Sequence, residues 1–161
     1  MVDKVERNIE NFIKQNEEAL ETLENVFKEA VKRRKVKGKD IENFGFLRRA
    51  FIQNISVAKR ALESYRIKKE ADNEVNKGKI VIEVLKRKYG FGLFSKTYYL
   101  ICVKGKKTYY YRQKLKEMGY KWNAKRKEWQ KEVRFDEYDE ELEKLRKVLK
   151  YFELFEREDI I

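Results

Sequence analysis

Apolar residues in the first part of the chain recur every three or four positions. Val2, Val5, Ile9, Phe12, Asn16, Ala19, Leu23, Val26 and Ala30 form one unbroken series. Its mean spacing of about 3.5 residues is that of a heptad seam facing a partner helix. Asn16 is the polar member of the series; a buried amide on such a seam costs stability but fixes register and oligomeric state. The seam serves a helix packed on its own chain as well as one paired with another copy. Gly38 offers a stop for this helix, and Asp40 a cap for the next. The second stripe runs through Phe44, Leu47, Phe51, Ile55, Ala58, Leu62 and Tyr65, and predicts a helix to about residue 76. Val36 to Asp40 then connects an αα-hairpin. Phe46 and Ile52 widen the stripe beyond a two-helix seam, which predicts a larger bundle, made with the rest of the chain or with other copies.

After Lys77-Gly78 the pattern shortens. Ile80 to Leu85 is rich in β-branched residues and fits a strand, with a helix as the alternative. Gly90 and Gly92 mark a turn, and Thr97 to Val103 is the clearest strand in the chain. Lys104-Gly105-Lys106-Lys107 turns it. Tyr111, Leu115 and Met118 share one helical face, with Gly119 placed as a stop. Tyr120 and Trp122 alternate as in a strand, as do Trp129, Val133 and Phe135. Residues 124–127 suit a four-residue hairpin loop that sets Trp122 beside Trp129. From Asp136 onward, Leu142, Leu145, Val148, Leu149, Phe152 and Phe155 predict a last amphipathic helix. The expected fold is α+β: a coiled-coil-like helical hairpin over residues 1–76, serving oligomerisation, then a small antiparallel β-β-α-β-β-α module over residues 77–161.

Charge changes the picture. The net charge of the chain is +12, which favours polyanionic partners. Residues 96–134 hold thirteen basic and three acidic side chains together with eight aromatics. Single-stranded nucleic acid needs both kinds of residue, cations for phosphates and flat rings for unstacked bases. The candidate binding residues are therefore Tyr98, Tyr99, Lys104, Lys106, Lys107, Tyr109, Tyr110, Arg112, Tyr120, Lys121, Trp122, Lys125, Arg126, Lys127, Trp129, Lys131 and Arg134. About half of the aromatics are expected in the core, on ordinary burial tendencies; Trp122 and Trp129 fit a cross-strand core pair. Duplex DNA is less well served, because the helix near residues 109–118 is short and no helix-turn-helix pattern is present.

Other chemistries find little support. The chain has no histidine, the commonest general base and metal ligand. Cys102 lies in an apolar strand and reads as inert core. Gly90-Phe91-Gly92 lacks the lysine and spacing of a phosphate loop. The acidic run from Asp136 to Glu141 suits a helix N-terminus better than a metal. No catalytic residue, cofactor or metal is expected. No apolar run reaches the roughly 18 residues of a membrane span, and Met1 to Arg7 lack the apolar core of a signal peptide. A lone cysteine fits a reducing cytoplasm. Charge dominated by Lys and Glu is one hyperthermophile signature, against which stands the absence of proline; a thermophile is the expected source.

The run Lys107-Thr108-Tyr109 through Leu115, then Gly119-Tyr120-Lys121-Trp122-Asn123, then Lys127-Glu128-Trp129 resembles a small αβ module of nucleic-acid proteins. Over residues 79–157 the layout is similar to the ThermoDBP family of archaeal single-stranded DNA-binding proteins. That resemblance implies a non-catalytic protein with an aromatic cleft flanked by basic residues and a helical oligomerising segment. The family's oligomerising helix is C-terminal, whereas the longest seam here is N-terminal. The expected function is sequence-tolerant binding of single-stranded DNA by a homo-oligomer. The alternatives are RNA binding through the same groove, and a helical adaptor whose basic module binds an acidic protein.

Overall fold

The computed structural model describes residues 3–159 and falls into two units that divide between Glu63 and Ser64. The first unit is the helical hairpin. Helix α1 (Lys4–Lys32) is capped by Asp3, whose side chain accepts a hydrogen bond from the Glu6 amide at 2.8 Å. It ends at Arg33, with Arg34 at a φ of 53°. Gly38 does not stop α1; it is the first residue of α2 (Gly38–Asn76). Nor is Asp40 the cap residue. It lies in the first turn of α2 and reaches back to accept from the Lys37 amide at 2.9 Å, one half of a capping box.

Ile13, Ala58 and Leu62 form the buried centre of the hairpin, with Ile9 and Ile55 packed beside them. Phe27 stacks on Phe44 with ring centroids 4.0 Å apart. Ion pairs Glu24–Arg48 and Glu17–Lys59 join the two helices across the outside. Asn16 bonds within its own helix, its amide donating to the Phe12 carbonyl at 2.8 Å. Val5, Phe12, Val26, Val31, Ile41, Phe46, Leu47, Ile52 and Val57 remain exposed. Val2, the first member of the expected seam, lies outside the described residues.

The second unit is built on a five-stranded sheet in the order β3-β4-β2-β1-β5. Its strands are β1 (Val81–Tyr89), β2 (Lys96–Lys104), β3 (Lys121–Asn123), β4 (Glu128–Arg134) and β5 (Glu153–Glu158). Between them lie α3 (Arg112–Glu117) and α4 (Tyr138–Leu149). The sheet is mixed, which corrects the expected antiparallel module: β5 runs parallel to β1, with Val81 opposite Glu153. The last helix stops at Leu149, and the residues expected to continue it through Phe155 become the edge strand β5.

Alternation along the strands separates two faces. Ile82, Val84, Ile101, Val103, Trp129 and Val133 join Leu115 of α3 and Leu142, Leu145 and Leu149 of α4 in the main core. Val81, Glu83, Leu85, Leu100 and Cys102 occupy the opposite face and are also buried. The C-terminal stretch of α2 belongs with that face. Its Ser64 hydroxyl donates to the Glu158 carbonyl at 2.7 Å, and Ala71 is fully buried. Hence the hairpin helix contributes to both units, and the division falls inside α2 rather than after it.

One charged cluster lies within this second face. Glu83 accepts from Arg157 Nε at 2.7 Å through one oxygen and from Lys104 Nζ through the other. Arg157 also donates to Ser64 Oγ at 3.2 Å. Burial alone would raise the Glu83 carboxyl, but the two cations outweigh it and hold the group below its ordinary value. Burial likewise opposes the charge of Lys104, and Glu83 outweighs it, so that ammonium titrates above its ordinary value. Cys102 beside them has its thiol pushed up by burial, which fits inert core rather than a nucleophile.

Candidate nucleic-acid interface

Strand register decides which loops meet. Asn123 pairs with Glu128, Glu128 with Lys104, Lys104 with Val81, and Val81 with Glu153. These residues form the last row at one end of the sheet. Just beyond it lie the 105–111 turn, the 124–127 hairpin loop, the Lys79-Ile80 entry to β1 and the Lys150–Phe152 exit from α4. Residues far apart in sequence are thereby gathered at one end.

Gly105 makes the first of these turns possible. It has a φ of 119°, and a Cβ there would stand 2.6 Å from the Lys79 carbonyl oxygen, so only glycine passes. The chain then winds through a 3₁₀ turn, Lys106–Tyr111, where side chains three residues apart eclipse one another. Thr108 and Tyr111 take the inner side; Thr108 is buried and its hydroxyl donates to the Gly105 carbonyl at 2.6 Å. Tyr109 and Arg112 take an outer side. The Arg112 guanidinium lies 4.0 Å from the centroid of the Tyr109 ring and donates to the Tyr109 carbonyl at 2.8 Å. Tyr109 is 62% exposed and Tyr110 80% exposed, with their rings edge to face at 6.3 Å. Fixed rings that face solvent are what a base needs in order to stack.

The hairpin loop supplies cations. Asn123 Oδ1 accepts from the Arg126 amide at 3.0 Å, and Lys127 completes the turn at a φ of 54°. Lys125, Arg126 and Lys127 are exposed. Trp122 lies on Trp129 at 5.3 Å, but the two differ: Trp129 is buried and Trp122 is half exposed. Among the described residues, Lys106, Lys107, Arg112, Lys121, Lys125, Arg126, Lys127 and Lys150 make no ion pair.

Other expected residues lie elsewhere. Tyr99 packs against the main core and Tyr138. Tyr120 and Trp129 are buried. The Tyr120 hydroxyl donates to Glu141 at 3.1 Å, and burial, then Glu141, push it well above its ordinary value. Lys131 bonds the same Glu141 oxygen and the Met118 carbonyl. Lys104 serves the Glu83 cluster. All five side chains are thus packed or bonded within the fold. Lys121 is exposed on the face opposite Trp122. Tyr98 and Arg134 are paired at the far end of the sheet, six residues or about 20 Å along β2 from Lys104, and Arg134 is engaged by Glu137 and Asp136.

A cleft of about 740 Å³ opens at the gathered end, lined in part by Ile80, Lys107, Tyr111, Arg146, Lys150 and Tyr151. Nothing in the sequence pattern points to the residues of α4 and its exit. No glycine or proline marks the end of α4, so Lys150 and Tyr151 read as more helix. Among the described residues no helix is long and apolar enough to cross a membrane, and no group of carboxylates and cysteine is placed to hold a metal ion. Compared with protein-family models, curated proteins and solved structures, the chain gives no significant match.

Proposed function

We propose that the protein binds single-stranded DNA, without catalysing a reaction, at the basic and aromatic end of its sheet. One observation carries this reading: Tyr109 and Tyr110 are exposed beside Lys106, Lys107 and Arg112, which make no ion pair among the described residues. Phosphates would be met by Lys106, Lys107 and the 125–127 loop, and bases by the two tyrosines and Trp122. Fluorescence anisotropy with labelled single-stranded DNA, single-stranded RNA and duplex at two salt concentrations tests it. Single-stranded DNA should bind tightest, and equal affinity for the duplex would overturn a stacking site. Tyr109→Ala and Tyr110→Ala should each cost about 1–3 kcal/mol at unchanged thermal stability, since both side chains are exposed. RNA binding as tight as DNA binding would move the protein to the RNA reading.

The hairpin is the proposed self-association surface. Its buried centre is small, and among the described residues nine large apolar side chains of the hairpin remain exposed; apolar surface in excess of what a two-helix seam buries is what a further helix or a second copy would cover. Sedimentation velocity at tens of micromolar should show a species larger than the monomer, and Phe46→Glu with Ile52→Glu should shift it toward the monomer. A wild-type chain that sediments as a monomer sinks the idea.

A further inference from the structure

The cleft beside the 3₁₀ turn differs from the tyrosine platform in being concave, and its volume lies in the roughly 300–1,000 Å³ range of small-molecule sites. Ile80 and Leu149, both buried, contribute apolar lining; Tyr111 is half buried. Four cations line it against one carboxylate. Lys79 is already bonded to Glu74 and to that carboxylate, Glu153, and Arg146 to Glu143 on the surface. Lys107 and Lys150 make no ion pair among the described residues, so two ammonium groups are available to a phosphate.

Lys150 adds a second observation. Its φ and ψ are 62° and −55°, and the Tyr151 amide donates to the Leu149 carbonyl at 2.7 Å. This is a γ-turn of the positive-φ kind, rare and strained for any residue with a Cβ. Glycine would close α4 there without strain. A lysine occupies the position instead, next to Tyr151, which is 87% exposed at the cleft. A charged side chain held at that cost fits a ligand-binding role.

We infer that this cleft is a pocket for one nucleoside monophosphate, with the phosphate on Lys107 and Lys150 and the base against Tyr111 and Tyr151. The inference rests on the strand-binding reading for its biological ligand. In a bound strand the pocket takes the nucleotide next to those stacked on Tyr109 and Tyr110, since Lys107 and Tyr111 flank those residues in one turn.

The test uses the full chain with thymidine 5′-monophosphate, thymidine and inorganic phosphate, followed by amide chemical shifts and calorimetry, with an oligothymidine titration in parallel. The monophosphate should shift the amides of Tyr111 and of residues 150–152, and bind at least tenfold tighter than thymidine or phosphate alone. Lys150→Gly should weaken it severalfold while raising the melting temperature, because the turn is relieved. Tyr151→Ala should weaken it severalfold at unchanged melting temperature. Unshifted cleft amides at about 10 mM monophosphate, ten times a millimolar Kd, overturn the pocket even where oligothymidine binds, and the strand reading then stands alone. Binding of the monophosphate by a protein that ignores oligothymidine keeps the pocket and overturns the strand reading. A Lys150→Gly protein that is stabilised yet binds as the wild type removes the phosphate role of Lys150 and with it the inference.

Discussion

Glu83→Gln will destabilise the sheet unit by about 3–5 kcal/mol, the usual consequence of removing one partner from a buried ion pair. The substitution preserves shape and removes the charge that neutralises both Lys104 and Arg157. Arg157 is 4% exposed and cannot turn to water for its missing partner. Urea unfolding measures the loss; an unchanged midpoint would show that the cluster is solvated. Replacing all three members with apolar residues should recover most of the stability, because the desolvation cost of the charges disappears with them. The same cluster sets a pH window. Glu83 titrates below its unfolded value of about 4.3, so its contribution is present above that pH and is lost as acid carries the solution through the folded value. Lys104 titrates above its unfolded value of about 10.4, so its contribution is present below that pH and is lost as alkali carries the solution through the folded value. Stability should therefore form a plateau between these limits, and Glu83→Gln should flatten its acid side.

Neutralising Lys125, Arg126 and Lys127 together will weaken binding to every single-stranded sequence and flatten its salt dependence. Removing one cation from a phosphate lowers the slope of log K against log salt by about 0.7, so the triple variant should give up as much as about 2 units of slope. Among the described residues the loop makes no ion pair that would rearrange, and its fold rests on Asn123 and the Lys127 backbone rather than on the charges. Lys127→Asn preserves the positive-φ position while removing the charge. Arg134→Gln is the control, since Arg134 is already engaged by Glu137 and Asp136 at the other end of the sheet; its slope should equal that of the wild type. An unchanged slope in the triple variant would place the phosphate track elsewhere.

The hairpin, the first four strands and the Trp122–Trp129 pair were legible because each rests on local signals: a period of three to four, a period of two, and a turn of fixed length. β5 was not. Leu149, Phe152 and Phe155 continue the stripe of α4 at intervals of three, and nothing local breaks it. What decides is remote: β1 has a free edge, and a parallel partner satisfies its backbone groups. The candidate site was half legible for the same reason. Composition located the basic and aromatic segment, but burial sorts its members by face. Trp129 falls toward the core and Trp122 at the rim, while Lys104 and Lys131 meet carboxylates 21 and 10 residues away in sequence. Arg157, two residues past the last position of the expected helix stripe, is the buried partner of a residue 74 positions earlier.

That separation has a consequence for synthesis. Glu83 is made long before Arg157, and at 5–20 residues per second the wait is about 4–15 s. Lys104 arrives much sooner, so the nascent strand carries a carboxylate with one of its two cations and an unpaired edge. During that interval β1 and β2 present an open hydrogen-bonding margin, the kind of surface on which unfinished chains associate. Its closure waits for β5. When β5 arrives, it covers that margin and lines the new edge with the charged side chains of Glu153, Glu156 and Glu158, and charged side chains on an edge strand discourage a second chain from adding to it.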